Sequence, residues 1–161
     1  MSARQLLLLG GISLAILGMS YGLWYAVFVE HQALDEIGRS LSSGFQAAAE
    51  RNSVGAENSL LLYRQAKYVY DRQVDVHGHW IGLAMLIIVL GIGFDHLGVP
   101  EKIKQMLAWA LLIGSTLFPL GVLMQTWSHG PLPRAIAILG SGLVITALAG
   151  MVLGLIRRQN A

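Results

Sequence analysis

Hydrophobic residues run along this chain in four long stretches that contain no Asp, Glu, Lys or Arg. The stretches cover residues 5–29, 76–94, 105–127 and 135–156. A helix needs roughly 20 apolar residues to cross the ~30 Å of hydrocarbon in a bilayer. Backbone groups in lipid must be hydrogen-bonded within the chain, so each stretch is predicted to form a helix rather than a strand. The pattern therefore predicts four membrane-spanning helices.

A long polar segment, residues 30–75, separates the first span from the second. Its first part carries apolar residues at steps of three and four, namely Leu34, Ile37, Leu41, Phe45 and Ala48. This spacing indicates an amphipathic helix. Asn52, Ser53 and Gly55 favour a turn, and residues 57–73 again favour a helix. We therefore predict an all-α chain, an integral membrane four-helix bundle in a single domain of residues 1–161, with an extramembrane helical hairpin between helices 1 and 2.

The composition supports this class of protein. Of the 161 residues, 55% are hydrophobic and 12% are charged, whereas soluble domains carry about 25% charged residues. The absence of cysteine excludes disulfides, thiolate metal sites, Fe–S clusters and haem attached through CxxCH. A net charge of +2 argues against nucleic acid as a partner. The first partner predicted is the lipid bilayer, and the long run near Met1 is interpreted as a span rather than a signal peptide.

Four spans place the hairpin and residues 125–134 on one side of the membrane, and both termini with residues 95–104 on the other. Basic residues near span ends favour the terminal side, where they are Arg4, Lys102, Lys104, Arg157 and Arg158. By the positive-inside rule we expect a bacterial inner-membrane protein with cytoplasmic termini and a periplasmic 30–75 hairpin. Two GxxxG pairs, Gly18 with Gly22 and Gly150 with Gly154, would allow close helix contact within the bundle or between protomers.

Histidines supply the strongest chemical signal. Of the five, four are expected at one depth on the hairpin side: His31, His77, His79 and His129. A histidine at a span boundary is costly without a partner, so this clustering suggests a shared site. Neutral imidazole binds transition metals and haem iron, and the carboxylates of Glu30, Asp71 and Asp75 lie in the same zone. The competing interpretation is that each histidine is merely interfacial and that Glu30 and Asp75 are solvated caps.

Spacing orders these candidates. His77 and His79 are about 200° apart on a regular helix, so both cannot face one metal from it. His79 is the first candidate for a haem ligand because Gly82, one turn along, leaves room for a flat ring. His129 is its expected partner and His31 the alternative. Either residues 75–79 are not yet helical, which leaves His77 as a further ligand, or His77 serves a different site, where it continues the heptad of Tyr63 and Tyr70 as part of a packed stripe. The candidate metal ligands are His77, His79, His129, Asp75 and Glu30, and the cofactor is haem b or, alternatively, copper or iron.

The segment VDVHGHWIGLAMLIIVLGIGF, residues 74–94, resembles small membrane haem proteins of the heme-copper oxidase subunit I-like and NnrS-like kinds. In those proteins an HxH pair opens a glycine-containing span, as His77, His79, Gly82 and Gly91 do here. The run LFPLGVLM, residues 117–124, also looks like their following helix. The resemblance implies haem b or a histidine-bound metal. This chain departs from an oxidase core because it has only four predicted spans and no HH pair.

Two functions follow. The first is a haem b-binding or metal-binding membrane protein whose redox centre near the outer face transfers electrons, with an external electron carrier, or carries out small-molecule redox chemistry. The second is a non-catalytic accessory or assembly subunit of a membrane complex, in which the histidines are replaceable. A homo-oligomer is expected under either, and whether the chain is an enzyme stays open. A transporter or channel has less support because the spans hold no charged residue.

Overall fold

The protein is described by a computed structural model, which covers residues 1–128 and 130–159. These residues form α-helices and no strand: α1 (Ala3–Phe28), α2 (Glu30–Ala49), α3 (Ser53–Gly93), α4 (Glu101–Met124) and α5 (Pro131–Gln159), with a short 3-10 turn at Phe94–His96. Four of the helices, α1, α3, α4 and α5, are long and apolar enough to cross a membrane. The predictions of an all-α chain and of four such helices are thereby confirmed.

The polar segment continues both of its neighbouring spans. α1 and α2 are separated only by Val29, whose φ of −121° and ψ of −42° interrupt the helix. α3 runs without a break for 41 residues, which at 1.5 Å per residue is about 60 Å. One helix therefore contains both the second limb of the predicted hairpin and the second predicted span.

The turn between α2 and α3 comes slightly earlier than the sequence suggests. Arg51 has a φ of 55° and directs the chain out of α2. The side chain of Asn52 then accepts a hydrogen bond from the backbone N–H of Gly55, at 2.9 Å, and caps α3. Ser53 and Gly55 consequently belong to the first turn of α3 rather than to the loop.

Packing orders the long helices into pairs. α1 packs along α3, α4 packs along α5, and α4 also contacts α1 and α3. Leu7, Ile87 and Leu111 are fully buried and mark the core where α1, α3 and α4 meet. The outer surfaces of these helices expose many large apolar side chains, as expected where lipid is the solvent.

Glycines bring α4 and α5 into backbone contact. A Cβ built on Gly114 would lie 2.7 Å from the carbonyl oxygen of Gly140. A Cβ on Gly140 would overlap the backbone of Phe118, and one on Gly121 would overlap the backbone of Ala137. Small residues at these positions let the two helices approach closely, which is how helices associate in lipid.

The face of α2 that contacts α3 differs from the apolar stripe in the sequence. After Glu30, its least exposed residues are Ala33, Ile37, Ser40, Gly44 and Ala47. A Cβ on Gly44 would lie 3.4 Å from the Cβ of Ser59, so the contact is made by small side chains. Only Ile37 of the predicted stripe belongs to this seam. The face that α2 turns towards α3 is therefore set by the close fit of small residues rather than by the burial of the largest ones.

Candidate functional site

His77 lies on the face of α3 that packs against α1. Its Nδ1–H donates a hydrogen bond to the backbone oxygen of Gly18, with 2.9 Å between the two atoms. The ring occupies the space above Gly22, so that a Cβ at Gly22 would overlap the imidazole. The GxxxG pair of α1 therefore packs within the chain and admits the His77 ring.

The second GxxxG pair is also used inside the chain. A Cβ on Gly150 would lie 2.7 Å from Cδ2 of Leu107, and one on Gly154 would lie 3.3 Å from Cγ1 of Val99. Both GxxxG pairs therefore pack within the bundle, and neither is available for contact with another protomer.

An aromatic cluster extends the α1–α3 seam towards the hairpin. The rings of Tyr21 and Trp80 meet edge to face with 5.4 Å between centroids, and those of Tyr25 and Tyr70 are 6.4 Å apart. The Tyr70 hydroxyl donates to the Glu30 carboxylate at 3.3 Å. Within the described residues, the buried hydroxyls of Tyr21 and Tyr25 and the indole N–H of Trp80 have no hydrogen-bond partner. Buried polar atoms of this kind are commonly satisfied by ordered water.

His79 projects from α3 towards α4 rather than towards α1. Its ring lies 4.6 Å from the ring of Phe118, measured between centroids. It is half-buried and makes no hydrogen bond to the described residues. A Cβ at Gly82 would meet no neighbouring atom within 4 Å, so open space lies one turn along the helix from His79.

The remaining candidates lie at the surface or have partners of their own. The side chain of His31 is 87% exposed, and its Nε2 is 3.6 Å from a carboxylate oxygen of Asp35. Asp75 lies 3.6 Å from the guanidinium of Arg72. Asp71 accepts a hydrogen bond from Lys67 at 2.8 Å. These carboxylates are therefore engaged in exposed local pairs, which contribute little to stability.

Those predicted metal ligands that the structure describes are not brought together into one site. In the part of the chain that the structure describes, no three His, Asp or Glu side chains are grouped so as to hold a metal ion. The reason is that α3 is a regular helix through residues 75–79, so His77 and His79 point about 200° apart. His129, the expected second haem ligand, lies outside the described residues.

The hairpin carries a surface that sequence reasoning only half identified. Leu34, Gly38, Leu41, Phe45 and Ala48 form what we call the outer face of α2. Of its large side chains, Leu34 is 47% exposed, Leu41 39% and Phe45 73%. The apolar period is visible in the sequence, but the second stripe, of small residues that contact α3, is not part of the predicted amphipathic pattern. The signal was the recurrence of Ala33, Ser40 and Ala47 at intervals of seven.

Comparisons with known proteins add no relative to this description. No protein-family model, no curated protein and no solved structure matches the chain. The resemblance of residues 74–94 to membrane haem proteins thus stays an expectation based on short motifs.

Proposed function

We propose that this chain is a non-catalytic accessory or assembly subunit of a membrane complex, and that its hairpin binds a partner outside the bilayer. The hairpin consists of α2 and residues 53–75 of α3. One observation supports the proposal, which is the amount of apolar surface that the hairpin exposes. Its exposed large apolar residues are Leu34, Leu41, Phe45, Val54, Leu60, Leu61, Leu62 and Val74. Apolar surface exposed to water is unfavourable, and an excess of it commonly marks protein–protein contacts.

Length and charge favour a hairpin that projects from the membrane. α3 is about 60 Å long, roughly twice the thickness of the hydrocarbon core. The part of α3 up to residue 75 carries six charged residues, Glu57, Arg64, Lys67, Asp71, Arg72 and Asp75. Each would cost ~2.5–3.5 kcal/mol at the centre of a bilayer. The apolar part that follows Asp75 is long enough to cross by itself.

In this proposal the hairpin lies in the periplasm and both termini lie in the cytoplasm, an orientation that the positive-inside rule favours. The cysteine-free chain allows a direct check with single cysteines. A membrane-impermeant maleimide should label Glu57→Cys in intact cells, and Lys104→Cys only after permeabilisation. Labelling in the opposite order would reverse the orientation.

The assembly role predicts that the hairpin matters and that the histidines do not. In mildly solubilised membranes, the parent chain should migrate on native gels as an assembly larger than the monomer. Phe45→Glu should convert most of it to monomer, because an unpaired carboxylate cannot be buried in an apolar contact without a large penalty. The matched control, His31→Ala with His79→Ala, should leave the assembly intact. A monomeric parent chain would refute the proposal.

A second candidate is a haem b protein in which His79 supplies an axial imidazole. The observation that favours it is that the His79 ring makes no hydrogen bond to the described residues and lies near the open space at Gly82. Haem bound there would supply one-electron chemistry with an external electron carrier. His77 fits less well, because its ring is packed into the α1–α3 contact in the space above Gly22. Histidine-bound copper or iron would need ligands that α3 directs apart.

This second candidate predicts a coloured protein. Purified chain should show a Soret band and an α-band on reduction, and His79→Ala should abolish at least 90% of the bound haem. His31→Ala is the control, since a side chain that is 87% exposed should not contribute a ligand. A colourless preparation without iron or copper by elemental analysis would count against the haem and the metal alike.

A further inference from the structure

We infer that the partner of the hairpin is a second copy of this chain, and that the outer faces of the two α2 helices pack against each other in parallel. The inference rests on the proposed function, in which the hairpin binds a partner outside the bilayer, and it identifies that partner.

The outer face has the spacing of a helix-pairing seam. Leu34, Gly38, Leu41, Phe45 and Ala48 advance by alternating steps of four and three residues. That repeat keeps one stripe in contact with a neighbouring helix over several turns, as in two-stranded coiled coils. A Cβ at Gly38 would meet no atom within 4 Å, so a partner helix can approach α2 closely at this position.

A groove lies beside this seam and completes the surface. It has a volume of about 270 Å³, and its lining includes Leu41 and Phe45 of α2 and Leu60 and Tyr63 of α3. The ring of Phe45, 73% exposed, projects next to it. A two-fold interface needs a projection and a recess on the same patch, because each subunit presents the same surface to the other. The hairpin has both.

The charge distribution favours a second copy over a foreign protein. Near a two-fold axis each side chain meets its own counterpart, so a charged seam would repel itself. The charged residues of α2 after His31 are Asp35, Glu36 and Arg39. At 100° per residue they lie about 90° or more around the helix from the centre of the outer face. The seam itself is uncharged, which suits self-pairing and provides no charge by which another protein would be recognised.

The continuity of α3 sets the direction of pairing. Because α3 is a single helix from the turn to the end of its apolar part, the hairpin extends along the axis of the span. α2 packs antiparallel to α3, with Gly44 beside Ser59 and Glu30 bonded to Tyr70, so the axis of α2 follows that of α3. Two copies in one bilayer have the same orientation, so a two-fold axis along the membrane normal makes their α2 helices parallel and in register.

Disulfide cross-linking of single-cysteine variants tests this geometry in membranes. Leu41→Cys and Ala48→Cys should each form covalent dimers on mild oxidation, because equivalent residues meet in a parallel seam within disulfide reach. The matched control is Ser43→Cys, on the opposite side of α2, which should stay monomeric. Dimers at Leu41→Cys without dimers at Ala48→Cys would overturn the parallel arrangement.

The mass of the purified protein separates this inference from the docking role. Light scattering in mild detergent should give twice the chain mass for the parent and the chain mass for Phe45→Glu, with equal helical content by circular dichroism. Native complexes that hold one copy with a different protein, and that Phe45→Glu dissolves, would overturn the second copy and preserve the docking role. A parent chain that is monomeric in membranes would overturn both.

Discussion

Gly140→Val is expected to cause a large loss of stability through the contact between α4 and α5. A side chain at this position would overlap the backbone of Phe118, and backbone cannot move aside as the end of a flexible side chain can. Overpacking in a close contact costs about 1–3 kcal/mol, and at backbone contact we expect the upper end or more. Unfolding of the purified protein in detergent, followed by tryptophan fluorescence during an SDS titration, measures the loss.

The control for this exchange lies two residues away. A Cβ at Gly142 would meet no neighbouring atom within 4 Å, so Gly142→Val should change the free energy of unfolding by less than ~0.5 kcal/mol. Both variants make the same change in helix propensity, and their difference therefore reports the α4–α5 contact alone. Equal loss in the two variants would contradict the close approach of α4 and α5.

Gly22→Val should produce the second large effect, because its side chain would overlap the His77 ring. We expect the free energy of unfolding to fall by about 2–3 kcal/mol. If His77 is the obstacle, removing its ring should relieve much of the penalty. The loss caused by Gly22→Val should thus be smaller when introduced into His77→Ala than into the parent chain, with a coupling free energy of ~1–2 kcal/mol.

A second glycine gives the control for the α1–α3 seam. Gly78 is adjacent to His77 in sequence, yet a Cβ there would meet nothing within 4 Å. Gly78→Val should therefore be well tolerated and show no coupling to His77→Ala. Additive losses for Gly22→Val and His77→Ala would mean that the ring does not occupy the space above Gly22.

These contacts change the meaning of the histidine pattern. Four histidines near one predicted boundary suggested a shared ligand site, but His77 is used in packing, and its neighbour His79 points towards Phe118. His31 lies in an exposed pair with Asp35. Residue type and approximate depth could be read from the sequence. The direction of each imidazole could not, because it depends on how α3 is rotated against α1 and α4.

In the hairpin, too, the sequence predicts the element while the packing decides its orientation. The steps of three and four from Leu34 to Ala48 correctly indicate a helix, since only a helix places such residues on one side. They do not indicate which neighbour that side meets. Gly44 and Ser59 allow a closer contact than Leu41 and Phe45 would, so α3 takes the small-residue side and leaves the larger side exposed. That choice arises from shape complementarity between two helices and has no counterpart in the period of either one.

By itself the sequence determined that the chain is helical and has four stretches suited to lipid, because charge-free runs of this length must satisfy their backbone hydrogen bonds internally. It also determined that residues 30–75 are polar enough to lie outside hydrocarbon. Only the tertiary structure decided that α3 is one continuous helix, that both GxxxG pairs are consumed within the chain, and that the outer face of α2 is left uncovered. The physical reason is that composition and period describe one helix at a time, whereas packing depends on the shapes of two.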